Sequence, residues 1–180
     1  MADSGLTGIL LVGGASSRFG SPKALARFGG ETLAERAWRL LGDVCDERIA
    51  VGRGEGLPFP LLADEGTGPV AAIAVGLRAA THEVAVVVPV DMPLLTADAL
   101  RLLAGACRDA AVTQAGPLPC AVTRRKLSAF ETGERRLRAT LEALDTVRVE
   151  LEDGLLANVN EPDDLRRIAP SEDFEPRGTA

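Results

Sequence analysis

Val84-Ala85-Val86-Val87-Val88-Pro89-Val90 is the most apolar run in the chain, and Asp91-Met92-Pro93 follows it directly. A strand with one wet face alternates apolar and polar residues. This run does not alternate, so it reads as a strand of a parallel sheet covered on both faces. The carboxylate of Asp91 then stands at the mouth of that sheet. Leu6–Val12 is a second apolar run that stops at Gly13-Gly14, a buried strand ending in a turn.

Helical spacing surrounds these strands. Residues 31–41 carry apolar side chains at helical intervals, with Thr32 as N-cap and Glu35 three residues on as its capping-box partner. Residues 69–80 form a helix with Pro69 in its first position. Further helices are expected over 96–108 (capped by Thr96 or Asp98), over 134–144, and over 162–168 after Glu161-Pro162. Strands are expected at 48–51, at 110–113 and 120–123 around a Gly116-Pro117 turn, at 147–151, and in a last short piece at 155–159. Strand and helix alternate through the first half. The fold class is therefore α/β, a three-layer α/β/α arrangement on a mostly parallel sheet. Residues 1–169 read as one domain and 170–180 as a polar tail. In such sheets ligands sit beyond the carboxyl ends of the strands, so Gly13-Gly14 and Asp91 face one crevice.

Bulk properties exclude several classes. The chain has 180 residues and a net charge of −6, against the broad basic face that nucleic-acid binding needs. Its three cysteines, Cys45, Cys107 and Cys120, are odd in number and lack CxxC spacing, which argues against a disulfide framework or zinc knuckle and for a reduced cytoplasm. Apolar runs fall well short of the roughly 18 residues of a membrane span, and no basic residue precedes the first of them as a signal peptide requires.

Chemistry concentrates in four places. In Gly13-Gly14-Ala15-Ser16-Ser17-Arg18-Phe19-Gly20-Ser21-Pro22-Lys23 the paired glycines let the backbone approach a ligand. Successive N–H groups there can bind an anion, and Arg18 and Lys23 add fixed positive charge. The loop is not a P-loop, because Lys-Ser/Thr does not follow Gly20. Gly52-Arg53-Gly54-Glu55-Gly56 is not a dinucleotide loop either; Leu57 occupies its last glycine position, and it reads as a plain turn. Asp91 is a hard oxygen ligand suited to Mg²⁺, or an Asp that only turns the chain. Asn158-Val159-Asn160-Glu161-Pro162 starts a helix or offers an amide oxygen to metal or substrate. Asp64 and Gly68 precede the helix at Pro69, either as a simple helix start or as a wall for base or ribose. His82 stands alone in a polar helix-to-strand turn and reads as solvated, so sites built on several histidines are excluded.

Together these segments resemble the molybdenum cofactor guanylyltransferases (MobA-like) within the Rossmann-like, GT-A-like nucleotidyltransferases. The resemblance runs from a GGxSxRxGxxK loop, Gly13 to Lys23, through Asp64 with Gly68-Pro69 and Asp91-x-Pro93. It continues through Pro117-Leu118-Pro119, Gly133-Glu134-Arg135-Arg136-Leu137-Arg138, and Asn158-Val159-Asn160. Ala72, Glu161 and Arg136 stand where the family commonly has Gly, Thr and Ser. Leu11-Val12-Gly13-Gly14 is similar to the guanylyl branch's LAGG. The resemblance implies transfer of GMP from GTP to the phosphate of molybdopterin or the molybdenum cofactor, with release of pyrophosphate. It implies nucleotide contacts at Leu11, Gly13, Gly14, Ser16, Arg18, Lys23, Asp64 and Gly68, and catalytic roles for Arg18, Lys23 and Asp91. Mg²⁺ would lie at Asp91, with Asn160 as a second contact. Arg124, Arg125 and Arg138 are candidates for the acceptor's phosphate, or solvated surface. Molybdenum cofactor-handling proteins are the implied protein partners; nucleic acid and membranes are not. The alternatives are transfer of CMP or another nucleotide to a different phosphorylated acceptor, and a nucleotide-binding module without catalysis.

Overall fold

The computed structural model describes residues 5–13, 23–64 and 67–168. Gly14, Ser16, Arg18 and the tail with its boundary at 169/170 therefore lie outside the described residues. In chain order the elements are β1 (Leu6–Val12), β2 (Arg27–Phe28), β3 (Glu31–Thr32), α1 (Leu33–Gly42), β4 (Glu47–Gly52), α2 (Pro69–Ala79), β5 (Val84–Pro89), α3 (Ala97–Ala106), β6 (Ala110–Thr113), β7 (Gly116–Thr123), α4 (Leu137–Glu142), β8 (Thr146–Val149) and α5 (Pro162–Ile168).

The main sheet has six strands in the order β4-β1-β5-β7-β6-β8. Its pairings are parallel except where β7 lies antiparallel between β5 and β6. β7 must run backwards because only Gln114 and Ala115 separate it from β6, a connection too short for a crossover. Side chains explain why β1 and β5 do not alternate. Leu10, Val12, Val86 and Val88 pack with Ala34, Ala37 and Leu41 of α1 and Leu100 and Leu103 of α3. Ile9, Leu11, Ala85 and Val87 point the other way, against Val70, Ile73 and Leu77 of α2 and Leu137 and Leu141 of α4. Both faces are dry, and the expected three-layer, mostly parallel architecture is present.

A smaller core joins the pieces around the mouth. Phe28, Leu33, Val159 and Leu165 pack together, linking the β2–β3 hairpin, α1 and the start of α5. The hairpin turns on Gly29 (φ 59°) and Gly30 (φ 82°), positive at both central residues as a tight right-twisting hairpin requires.

The capping box of α1 is present in full. The Thr32 hydroxyl accepts from Glu35 N–H at 3.1 Å, and the Glu35 carboxylate accepts from Thr32 N–H at 2.8 Å. These two bonds satisfy donors that the first helical turn otherwise leaves unpaired. Thr32→Ala is expected to cost about 1 kcal/mol and lower the melting temperature by about 2–4 °C, with Thr32→Asn closer to the parent chain. Thermal unfolding followed by circular dichroism checks this, and an unchanged midpoint for the alanine variant would count against the cap.

Several expectations are corrected. Residues 155–159 form no strand; Asp153–Leu156 is a 3-10 helix, and Val159 N–H bonds instead to Asp91 C=O at 2.8 Å. Gly116-Pro117 is not the turn but the start of β7. Only Val84–Val87 pair with β7, against Cys120–Thr123, so Pro117 and Pro119 stand beyond the β5 ladder, where a missing N–H costs nothing. The helix expected over 134–144 shrinks to α4, because the Glu134 carboxylate accepts from Arg135 and Arg136 N–H and holds that stretch outside the helix. Arg124–Phe130, a 3-10 helix, carried no sequence signal. His82 is half-buried rather than solvated. Its ring fills the space above Gly5, where a Cβ would meet it at 2.3 Å.

Candidate active site

The carboxyl ends of β1, β4 and β5 lie side by side, with Leu11 opposite Pro89 and Val12 opposite Gly52. They open onto a cavity of about 850 Å³, within the range of small-molecule sites. Leu11, Gly13, Asp64, Gly68 and Asp91 line it. Gly13 has open space where a side chain would stand, so nothing within the described fold demands glycine there. Its effect is to leave room in the cavity.

Lys23 and Asp91 are 68 residues apart in sequence, and the fold brings them together. Lys23 Nζ donates to Asp91 Oδ2 at 3.2 Å, with the side chains 17% and 22% exposed. Local structure explains the meeting. A 3-10 turn at Lys23–Leu25 is closed by Ala26 N–H on Lys23 C=O at 3.0 Å, and Leu33 N–H then bonds to Ala26 C=O at 2.9 Å. Arg36, stacked over the Phe28 ring at 5.2 Å, donates to Pro93 C=O at 2.6 Å. The hairpin and the Asp91 loop are thus tied to the same helix. The second carboxylate oxygen, Asp91 Oδ1, is buried and finds no hydrogen-bond partner among the described residues.

Asp64 reaches the cavity by another route. Leu62 pairs with the end of β4, its N–H bonding to Ala50 C=O at 2.8 Å and its C=O accepting from Gly52 N–H at 2.9 Å. Arg53 then donates through Nε and Nη2 to Asp64 C=O at 3.2 and 2.9 Å. Sequence reading passed over Arg53, which lines the cavity from a stretch taken as a plain turn. A basic residue straight after a strand's carboxyl end was the available signal. The hairpin residues Ala115–Leu118 were missed as wall for the same reason that β7 was cut short.

The two asparagines separate. Asn158 lines the cavity. Asn160 is exposed, and its N–H, with that of Glu161, bonds to the Asp164 carboxylate at 2.8 and 2.9 Å. Those two bonds hold the Asp164 carboxyl below its ordinary range. This is the helix start that the sequence suggested.

The cysteines take no part. Burial pushes the Cys45 thiol up to about 12 and that of Cys107 up to about 11, and raises Cys120 as well. None presents a thiolate at neutral pH. Among the described residues no cluster of three or more His, Cys, Asp or Glu side chains is arranged to hold a metal. No helix among them is long and apolar enough to cross a membrane.

Comparison with known proteins agrees with this architecture. Residues 8–149 match the family model described as MobA-like NTP transferase domain. The chain is 34% identical over 182 residues to a Deinococcus radiodurans protein named "Probable molybdenum cofactor guanylyltransferase", covering 91% of this chain and 94% of that protein. A Chloroflexus aggregans protein of the same name is 34% identical over 193 residues, covering 91% and 93%. Among solved structures, molybdopterin-guanine dinucleotide biosynthesis protein A from Archaeoglobus fulgidus superposes with a TM-score of 0.74 at 24% identity, covering 90% of this chain and 96% of that one. At that identity the likeness speaks for the fold.

Proposed function

Because this chain belongs to the family of MobA-like NTP transferase domains, we propose that it transfers GMP from GTP to the phosphate of molybdopterin or the molybdenum cofactor and releases pyrophosphate. The observation that carries this reading is the meeting of Lys23 and Asp91 at the mouth of a cavity bounded by Leu11, Gly13, Asp64 and Gly68. An ammonium and a carboxylate held together there serve a polyanion that arrives with a cation.

No protein nucleophile is needed. An oxygen of the acceptor phosphate attacks the α-phosphorus in line, the bond from that phosphorus to the bridging oxygen breaks, and pyrophosphate leaves with the electron pair. Two anions must approach each other, so the chain's main task is to offset charge. Lys23 and Arg18 hold the triphosphate, while Leu11, Gly13, Gly14, Ser16, Asp64 and Gly68 receive the base and ribose. Mg²⁺ fits Asp91, since Oδ1 is a buried oxygen with no partner among the described residues and hard cations prefer oxygen. Bound there, Mg²⁺ supplies positive charge for the phosphates. Asn160 stays the second candidate named from sequence, and Asn158 joins it because it lines the same cavity. We read residues 1–169 as one catalytic domain working in the cytoplasm, handing its product to molybdenum cofactor-handling proteins.

Pyrophosphate release tests the reading. It is expected with GTP, purified molybdopterin and Mg²⁺ together, and expected to stop with EDTA. Preference for CTP with the same acceptor would overturn the guanylyl assignment. Nucleotide binding with no pyrophosphate from any pairing would mark a binding module instead of an enzyme.

A further inference from the structure

Beside the larger cavity lies a second one of about 260 Å³, set between the β6–β7 hairpin, α4 and β8. Arg138 of α4 and Arg148 of β8 both line it, and the side chain of neither makes a hydrogen bond or ion pair among the described residues. Many described arginines are paired, although the side chains of Arg124 and Arg135 also lack a partner among the described residues, and neither of those two lines this cavity. Arg39 meets Glu31 at 2.6 Å, Arg125 meets Asp109 at 3.1 Å and Arg136 meets Glu134 at 3.4 Å. The chain carries 26 carboxylate side chains and a net charge of −6, so acidic partners are plentiful. Two guanidinium groups are nevertheless left to one cavity whose single carboxylate, Glu142, pairs with neither. Guanidinium is the side chain best shaped to grip an oxyanion through two parallel hydrogen bonds.

The position gives the cavity a use. Gly116 and Pro117 line both it and the larger cavity, so the two adjoin across one strand of the hairpin. Register adds a second constraint. Arg148 sits opposite Val112 in the β6–β8 ladder, and Val112 packs against the core cluster that contains Leu137 and Leu141 of α4. Arg148 therefore lies on the sheet face that α4 covers, the face that carries Arg138. We propose that this cavity is an anion subsite in which Arg138 and Arg148 hold a phosphate or an oxyanion of similar charge. The oxyanion comes either as a free ion or as the far end of a substrate seated in the larger cavity; the second source rests on the function proposed above, and the first does not.

Calorimetric titration of inorganic phosphate into the full chain, saturated with GTP and Mg²⁺ to fill the larger cavity, separates the sources. For a free ion, Arg138→Gln with Arg148→Gln is expected to weaken phosphate binding at least ten-fold while GTP affinity stays within two-fold, and Glu142→Gln is expected to tighten it. For a substrate's own anion, phosphate leaves no saturable heat, but the acceptor KM rises at least ten-fold in the double variant with the GTP KM unchanged. Both arginines are exposed; should the double variant melt early, the single variants are read in its place. A variant chain with unaltered phosphate affinity and unaltered acceptor KM overturns the subsite. If molybdopterin accepts nothing, the proposed function fails, and the phosphate titration by itself still decides this question.

Discussion

Asp91→Asn is expected to lower kcat by about 10²–10³-fold, equivalent to about 3–4 kcal/mol of barrier by analogy with the loss of one well-placed charge-stabilising group. The loss should fall on kcat more than on the GTP KM, because the charge that Asp91 organises grows as the two phosphates close on each other. The fold should survive. Asparagine has nearly the same shape, Asp91 Oδ1 makes no hydrogen bond among the described residues, and the backbone tie from Val159 N–H at 2.8 Å is indifferent to the side chain. What the fold loses is the charge pairing with Lys23 at 3.2 Å between side chains about a fifth exposed, which costs about 1–2 kcal/mol, between the value of an exposed pair and that of a fully buried one. The variant should also need more Mg²⁺ to reach its residual rate. Steady-state pyrophosphate release across a Mg²⁺ series, paired with a thermal melt, separates the two effects. A folded variant with undiminished kcat would remove Asp91 from the reaction, and with it the main support for a cation at that position.

The sheet was readable where one physical signal had one meaning. Leu6–Val12 and Val84–Pro89 lack alternation, and Ile9, Leu10, Val86 and Val87 are all fully buried. Thr32 with Glu35, and Pro69 at a helix start, gave two helix beginnings that the structure places within two residues of the expected positions. The meeting of Lys23 with Asp91 was also within reach, since strand order sends the carboxyl ends of a parallel sheet to one crevice. Signals with two meanings failed. Gly116-Pro117 has the chemistry of a turn, yet which residues turn was settled by the pairing of Val112 with Cys120 and the bulge beyond it. Asn158 and Asn160 are the same residue type two positions apart. What distinguishes them is the Val159 tie to Asp91 C=O and the Asp164 cap, contacts that no local pattern reveals. Arg53 escaped because its partner is a backbone carbonyl eleven residues away.

Gly52→Ala is expected to be the most destabilising of the substitutions considered, at about 3 kcal/mol, with a melting temperature lower by about 6–12 °C. Gly52 looked like part of an ordinary turn. In the fold it has φ 143°, and a Cβ built on it would lie 2.0 Å from Val12 O and 2.6 Å from Val12 C. Those atoms are backbone of a central strand and have no rotamer by which to retreat. The junction is also fixed on both sides, by Gly52 N–H to Leu62 C=O at 2.9 Å and Arg53 N–H to Val12 C=O at 3.3 Å. A methyl group can enter only if the end of β4 parts from β1, which strains both bonds and moves Arg53, whose guanidinium holds Asp64 C=O. Nucleotide affinity should therefore fall together with stability, because Gly13 and Asp64 border the cavity on either side of this junction. Gly54→Ala is the control. There a Cβ meets only Leu57 Cδ1, at 3.7 Å, an ordinary contact expected to change stability by less than about 0.5 kcal/mol. Differential scanning calorimetry of the two variants, with and without GTP, decides the matter. Equal melting temperatures for both would show that β4 can yield at Val12, and the coupling from Gly52 to the cavity would have to be abandoned.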